Sequence, residues 1–509
     1  MQTRPRSANL AGSVPQSTHL QAVSMSKEIQ QLEPLAVWRH FADLNAVPRP
    51  SKREDRAVAF LRSFGEQLGL ETAVDETGNV LIRKPATPGM RDRVGIVLQG
   101  HLDMVHQKNA DTEFDFDTQG IRMHVDGDWV KAEGTTLGAD NGIGVAAIMA
   151  ILASDDIPHP AIEALFTVDE ESGMTGALGL QGDVLTASIL LNLDTEDDTE
   201  LTIGCAGAVT VVATGCCPQE PAEPGAAFTL GLKGLIGGHS GMDIHLGRGN
   251  ANKLLNRLLY LGAEKLGLRI AAVDAGGLRN AIPREAHAHI TVDASRAAAL
   301  EELIAEEAAV LQAEYKVTDP GLEVLLQPAD LPESLLTQAF QEALLAAVYV
   351  CPNGVSRMSP DVPGLVQTSN SLARVLAANG TFEIHTLVRS AVDTEKLDLA
   401  RAVRCALEPL GGTVEFAGAY PGWIPRPDSA IVQLMSSLHR ELFGSDASVL
   451  ACHAGLECGI VGANYPDLQM ISFGPNIRGA HSPDEKVQIS SVQKFWRFLT
   501  AALSRMPRA

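Results

Sequence analysis

Residues 94–105 read Val-Gly-Ile-Val-Leu-Gln-Gly-His-Leu-Asp-Met-Val, an apolar run that closes on a glycine and hands over to His101 and Asp103. From Val94 to Gln99 the side chains are mostly aliphatic and do not alternate with polar ones. That pattern predicts a strand covered on both faces. Such strands belong to sheets flanked by helices, and those sheets keep their chemistry at the strand ends. The same punctuation recurs along the chain. Ala161–Val168 predicts a strand that delivers Glu170 and Glu171, Ser188–Leu193 one that delivers Asp194, and Gln469–Phe473 one that leads into the loop bearing His481. Asp140 stands just ahead of Asn141–Ser154, a strongly apolar helical stretch. Residues Pro34–Asn45 and Asp55–Leu68 read as amphipathic helices, Asn79–Arg83 as one arm of a hairpin and Trp129–Ala132 as a short strand. Strands alternating with helices predict a doubly wound α/β layer structure.

A chain of 509 residues exceeds what one core holds, so two or more domains are expected. With 45% hydrophobic and 20% charged residues, the composition is that of a globular protein. A net charge of −22 argues against nucleic acid and anionic membrane surfaces as partners. No apolar run is long enough for a membrane-spanning helix. The seven cysteines are odd in number and lack framework spacing, which fits reduced thiols in a cytoplasm. Residues 1–33 open with a Ser-, Gln-, Ala- and Thr-rich stretch without a continuous apolar core, and read as a disordered tail rather than a secretory signal.

The texture changes after Asp194. Residues 34–206 read as the first part of a catalytic domain, 207–418 as an inserted α+β domain, and 419–509 as the part that completes the catalytic domain. Within the insert a helix is expected over Leu335–Val348, and a strand–helix–strand order recurs at His289–Leu326 and Ile384–Phe416. That recurrence leaves open whether the insert is an internal duplication.

Taken singly, each polar residue at a strand end has an ordinary reading. Asp140 would be a helix cap, Glu170-Glu171 a solvated acidic turn, and His481 a surface histidine. Their joint occurrence carries the functional reading. Two histidines and three carboxylates (His101, Asp140, Glu171, Asp194 and His481) suit a pair of zinc-like divalent ions with one carboxylate shared. Asp103, two residues beyond His101 in an extended segment, lies on the same side and can orient the imidazole. Glu170, beside a ligand but surplus to the set, suits a general base acting on water at the metals. His239, in Gly-Leu-Ile-Gly-Gly-His-Ser-Gly, suits an oxyanion stabiliser reaching across a domain or subunit boundary.

Together, Gly-His-Leu-Asp (100–103), Gly-Ala-Asp-Asn-Gly (138–142), Asp-Glu-Glu-Ser-Gly (169–173), Leu-Asp-Thr-Glu (193–196), Gly-Gly-His-Ser-Gly (237–241) and Gly-Ala-His-Ser-Pro-Asp-Glu (479–485) resemble the co-catalytic zinc exopeptidases. That family includes aminoacylases, glutamate carboxypeptidases and bacterial di- and tripeptidases, and the likeness is strongest to its Xaa-His dipeptidases. It runs from about Leu35 to the C-terminus. It implies a three-layer catalytic domain with an inserted α+β lid, and two divalent ions per subunit, zinc with cobalt or manganese as alternatives. It assigns His101 and Asp194 to one ion, Glu171 and His481 to the other, Asp140 to both, and a cis peptide at Asp140–Asn141. It makes Glu170 the base and Asp103 the orienter of His101, brings His239 to the scissile carbonyl, and places Asn280, Arg389 and Gly455 at the substrate carboxylate. The activity implied is metal-dependent hydrolysis of unblocked dipeptides, including Xaa-His and carnosine-type dipeptides, in a cytoplasmic enzyme. Its partner is a short peptide substrate, and a homodimer is left open. The alternative is an aminoacylase or carboxypeptidase acting on N-acyl amino acids.

Overall fold

A computed structural model describes residues 27–509, arranged as two compact units. Most of the tail expected over residues 1–33 lies outside the described residues. The chain is already folded before residue 34: residues 27–29 form a helical turn and Ile29 is fully buried. The first unit takes the chain up to Leu201, then Asp428–Val449 and Asn464–Ala509, and the second takes Thr202–Pro427 and Leu450–Ala463. The boundaries expected near 206 and 418 therefore fall at 201 and 427. The return of residues 450–463 to the second unit is a tertiary event without a local sequence signal.

The first unit is built on a sheet containing, in order, Glu71–Val74, Val80–Lys84, Ile162–Thr167, Ile96–His101, Ile189–Asn192 and Gln469–Ser472. The last four strands are mutually parallel, with His101 opposite Thr167, Gln99 opposite Asn192, and Ser472 opposite Asn192. Parallel pairing puts all four C-terminal ends on one edge. Every residue of Ile96–His101, Ile162–Thr167 and Ile189–Asn192 is buried, including the polar Gln99, His101, Glu163, Thr167 and Asn192. A second, four-stranded sheet joins Ile477–Arg478, Lys486–Gln488, Trp129–Ala132 and Met123–Asp126.

The helix Ala139–Ala153 is buried at every position from Asn141 to Leu152. A helix apolar all round belongs in an interior. Its packing is close: a Cβ on Gly144 would stand 2.6 Å from the Leu193 carbonyl oxygen. Glycine there lets the helix lie against the segment that carries Asp194.

The second unit is a nine-stranded antiparallel sheet backed by helices. Its first half runs Ala226–Lys233, helix Ala251–Leu266, Arg269–Gly276, Ala286–Val292, helix Ala297–Glu314 and Glu323–Pro328. Its second half repeats that order: Gly207–Cys216, helix Gln338–Val350, Val366–Ala378, Thr381–Ser390, helix Asp393–Leu407 and Thr413–Tyr420. The spatial order is 4-1-3-2 in the first half and its mirror, 2-3-1-4, in the second. The halves join where Val273 pairs with Ala377. The helix expected over Leu335–Val348 is corrected: Ser334–Leu336 is a strand paired to Gln219–Pro221, and the helix starts at Gln338.

The close packing of Gly144 yields a prediction. Gly144→Ala overpacks the helix against residue 193 and lowers stability by about 1–3 kcal/mol, read from urea unfolding. An unchanged midpoint would contradict the contact.

Candidate metal centre

The edge of the parallel sheet brings together all seven residues expected there. His101 closes one strand, Glu170 and Glu171 follow the next, Asp194 follows a third, and the loop after Gln469–Ser472 carries His481. Asp140 projects from the start of the Ala139–Ala153 helix, and its peptide bond to Asn141 is cis.

Their side chains form two triads with Asp140 in common, His101–Asp140–Asp194 and Asp140–Glu171–His481, each with ligand atoms within 4.8 Å of one another. His101 Nε2 stands 3.1 Å from Asp140 Oδ1 and 3.4 Å from Asp194 Oδ1. His481 Nε2 stands 3.2 Å from Asp140 Oδ2 and 3.0 Å from Glu171 Oε2. Each triad offers one imidazole and two carboxylates, and the shared carboxylate turns one oxygen to each. This donor set fits two divalent ions of the zinc class. Two further observations agree with that fit. Glu171 Oε1 and Asp194 Oδ1 are buried without hydrogen-bond partners. The crowded carboxylates also create a strong demand for positive charge: hydrogen bonds to Asp140 and Glu171 push the His481 imidazole up to about 11, and burial pushes the Asp194 carboxyl up to about 6.

Asp103 does more than face His101. Its Oδ1 lies 3.3 Å from His101 Nδ1, a pairing distance rather than an aligned hydrogen bond. The same carboxylate accepts the backbone N–H of Glu170 at 3.0 Å, the backbone N–H of Glu171 at 3.2 Å and the Ser51 hydroxyl at 2.8 Å. It therefore fixes the acidic loop as well as the imidazole. Glu170 lies close to His101 and Glu171 yet belongs to neither triad around Asp140.

Two positioning residues escaped the sequence reading. Glu485, 2% exposed, accepts four consecutive backbone N–H groups, those of Leu137, Gly138, Ala139 and Asp140, at 2.7, 2.9, 2.8 and 3.2 Å. The buried Arg49 guanidinium donates to the carbonyls of Leu102, Asp103 and Gly138 and to Asn45 Oδ1. Together they clamp the turn that presents the shared ligand. Glu485 lies four residues past His481, and nothing local in the sequence distinguishes a solvated carboxylate from one seated on backbone amides.

The remaining expected residues, His239, Asn280, Arg389 and Gly455, all belong to the second unit. His239 Nδ1 accepts the backbone N–H groups of Gly241 and Met242 at 3.1 and 2.9 Å. A nitrogen that accepts has no proton, so the neutral ring carries its proton on Nε2. Burial, then the Arg389 charge, pull this imidazole down to about 4 and keep it neutral. Its Nε2 faces an Arg389 terminal nitrogen at 3.5 Å. Both atoms are donors, so the pair is set to share an oxygen acceptor rather than to bond to each other. Asn280 is exposed and adjoins this loop through its carbonyl, which accepts the Ser240 N–H at 2.8 Å. Gly455 is part-buried, two residues beyond His453.

Peptidase family M20/M25/M40 matches residues 97–505. The chain is 42% identical over 482 residues to the cytosol non-specific dipeptidase of Escherichia coli strain K12, an alignment covering 94% of this chain and 99% of that protein. The structure of aminoacylhistidine dipeptidase from Vibrio alginolyticus superposes with a TM-score of 0.87 at 41% identity, covering 94% of this chain and 98% of that one. Aminopeptidase PepT from Bacillus cereus shares the fold at a TM-score of 0.58 and 16% identity, over 93% of this chain and 98% of that one.

The clamp makes a prediction for metal retention. Glu485→Gln turns an amide N–H toward backbone donors and weakens metal affinity by about 10–100-fold, measured by competition with a chromogenic chelator. Unchanged affinity would refute the clamp.

Proposed function

The chain belongs to peptidase family M20/M25/M40 and is a metallo-dipeptidase, and we propose that it hydrolyses unblocked dipeptides, Xaa-His and carnosine-type dipeptides among them, with Glu170 as general base. The observation that carries this reading is a ligand set of two triads sharing Asp140, with a surplus glutamate beside it. Two zinc ions per chain are proposed, held by His101, Asp140 and Asp194 on one side and by Asp140, Glu171 and His481 on the other. Bound there, they supply Lewis acidity and an acidified water.

The protein's own groups then have distinct tasks. Glu170 takes the proton of the attacking water and returns it to the departing amine. Asp103 holds the loop that aims Glu170, through the Glu170 and Glu171 amides. His239, with its proton on Nε2, suits an oxygen on which negative charge develops. Arg389 suits the terminal carboxylate. It is 5% exposed, its Nε has no hydrogen-bond partner, and no carboxylate of its own unit lies within ion-pair distance among the described residues. A buried cation without a counter-charge is costly, and a carboxylate ligand offsets that cost. Asn280 and Gly455 are proposed to line the same end of the substrate. Requiring both a free amine and a free carboxylate restricts substrates to short peptides.

The relative named for the cytosol supports a cytosolic location. No helix among the described residues is long and apolar enough to cross a membrane.

The test is a substrate panel of Leu-His, carnosine, Ala-Ala and an N-acetyl amino acid, run on chelated protein with zinc or manganese restored. Cleavage of the free dipeptides should return with metal, and Glu170→Ala should lower kcat by about a thousandfold or more. Cleavage of the acetylated compound alone would move the assignment to an aminoacylase. A Glu170→Ala variant with wild-type kcat would remove the base.

A further inference from the structure

His453 lies outside every motif discussed so far, yet it is 5% exposed and sits beside the proposed carboxylate site. Its Nε2 is 2.7 Å from the Ser369 hydroxyl. That bond ties the serine hydroxyl to the imidazole, whichever of the two atoms carries the proton.

Ser369 is the direct cross-strand partner of Arg389 in the pairing of Val366–Ala378 with Thr381–Ser390. Directly paired residues project from one face with their Cβ atoms about 5 Å apart. Ser369, held by His453, therefore stands on the face that carries the guanidinium. The charged and titratable groups that act most strongly on His453 are Arg389, His239 and His245. Burial and then the Arg389 charge hold the ring down at about 3, so it stays neutral beside the cation. The guanidinium itself is held only loosely, 3.3 Å from the Tyr420 hydroxyl and 3.5 Å from His239 Nε2. The backbone of the same segment is part of the arrangement. A Cβ on Gly241 would overlap the His453 carbonyl oxygen and come within 3.0 Å of Arg389 Cδ and Nε.

We infer that His453 and Ser369 are positioning residues for the substrate's terminal carboxylate: the imidazole fixes the serine hydroxyl, and the pair shapes the face on which Arg389 stands while leaving the guanidinium donors free for the ligand. The inference rests on the proposed pairing of Arg389 with that carboxylate.

The test compares a dipeptide with its C-terminal amide, for instance Leu-His and Leu-His amide, on the metal-loaded enzyme. Wild type should favour the free acid. His453→Ala should lower kcat/KM for the free acid by about tenfold or more, mainly through KM, and change the amide by less than about twofold. Ser369→Ala, which removes one hydroxyl and threatens folding least, should shift the acid-to-amide ratio in the same direction. His453→Gln, which restores a hydrogen-bonding group near Nε2, should recover part of the loss. Equal losses on both substrates, or an unchanged ratio in Ser369→Ala, would overturn the positioning role and leave Arg389's role standing. A wild type indifferent to the carboxylate would overturn both.

Discussion

Like charges crowd one edge of the parallel sheet, and the rest of the first unit is arranged around tolerating them. Asp140, Glu171 and Asp194 stand within reach of two imidazoles, with Glu170 close by. Carboxylates so close, largely desolvated, repel one another strongly unless cations lie between them. The metal reading answers that repulsion, and it explains why Glu171 Oε1 and Asp194 Oδ1 are buried without protein donors. An assembly that costs this much without metal has to be imposed by the surrounding structure.

The imposition is visible in where other buried polar groups go. Glu485 spends its carboxylate on four backbone amides, Arg49 its guanidinium on three carbonyls and one amide oxygen, and Asp103 most of its lone pairs on the amides of the acidic loop. None of these groups needs to touch substrate. They hold the backbone that presents the ligands, which is how a site stays within the tolerance that metal geometry sets. The second unit faces the opposite electrostatic problem. There Arg389 is a buried cation with no carboxylate of its own unit within ion-pair distance among the described residues, next to two imidazoles kept neutral by burial and by that cation.

Much of the first unit was legible in the sequence because its strands are short, mostly apolar runs that stop abruptly at glycine or acid. Ile96–His101 and Ile162–Thr167 announce themselves this way, and their ligands follow within a few residues. The second unit was harder to read. Arg269–Gly276 has alanine and glycine where strands usually carry branched side chains, and its strand character comes from pairing on both sides. Ser334–Leu336 runs into the Gln338–Val350 helix without a break in apolar character, so one element hid the other. The supporting residues were beyond reach for a different reason. Glu485 meets backbone groups some 345 positions away, and His453 meets Ser369 across 84, so nothing local marks them.

The central claim is that Asp140 is shared by two ions, and metal stoichiometry by mass spectrometry of the native protein tests it most directly. The account predicts two divalent ions per chain in the wild type and loss of both in Asp140→Ala, since each triad loses a carboxylate. One ion per wild-type chain, or two retained in Asp140→Ala, would contradict it.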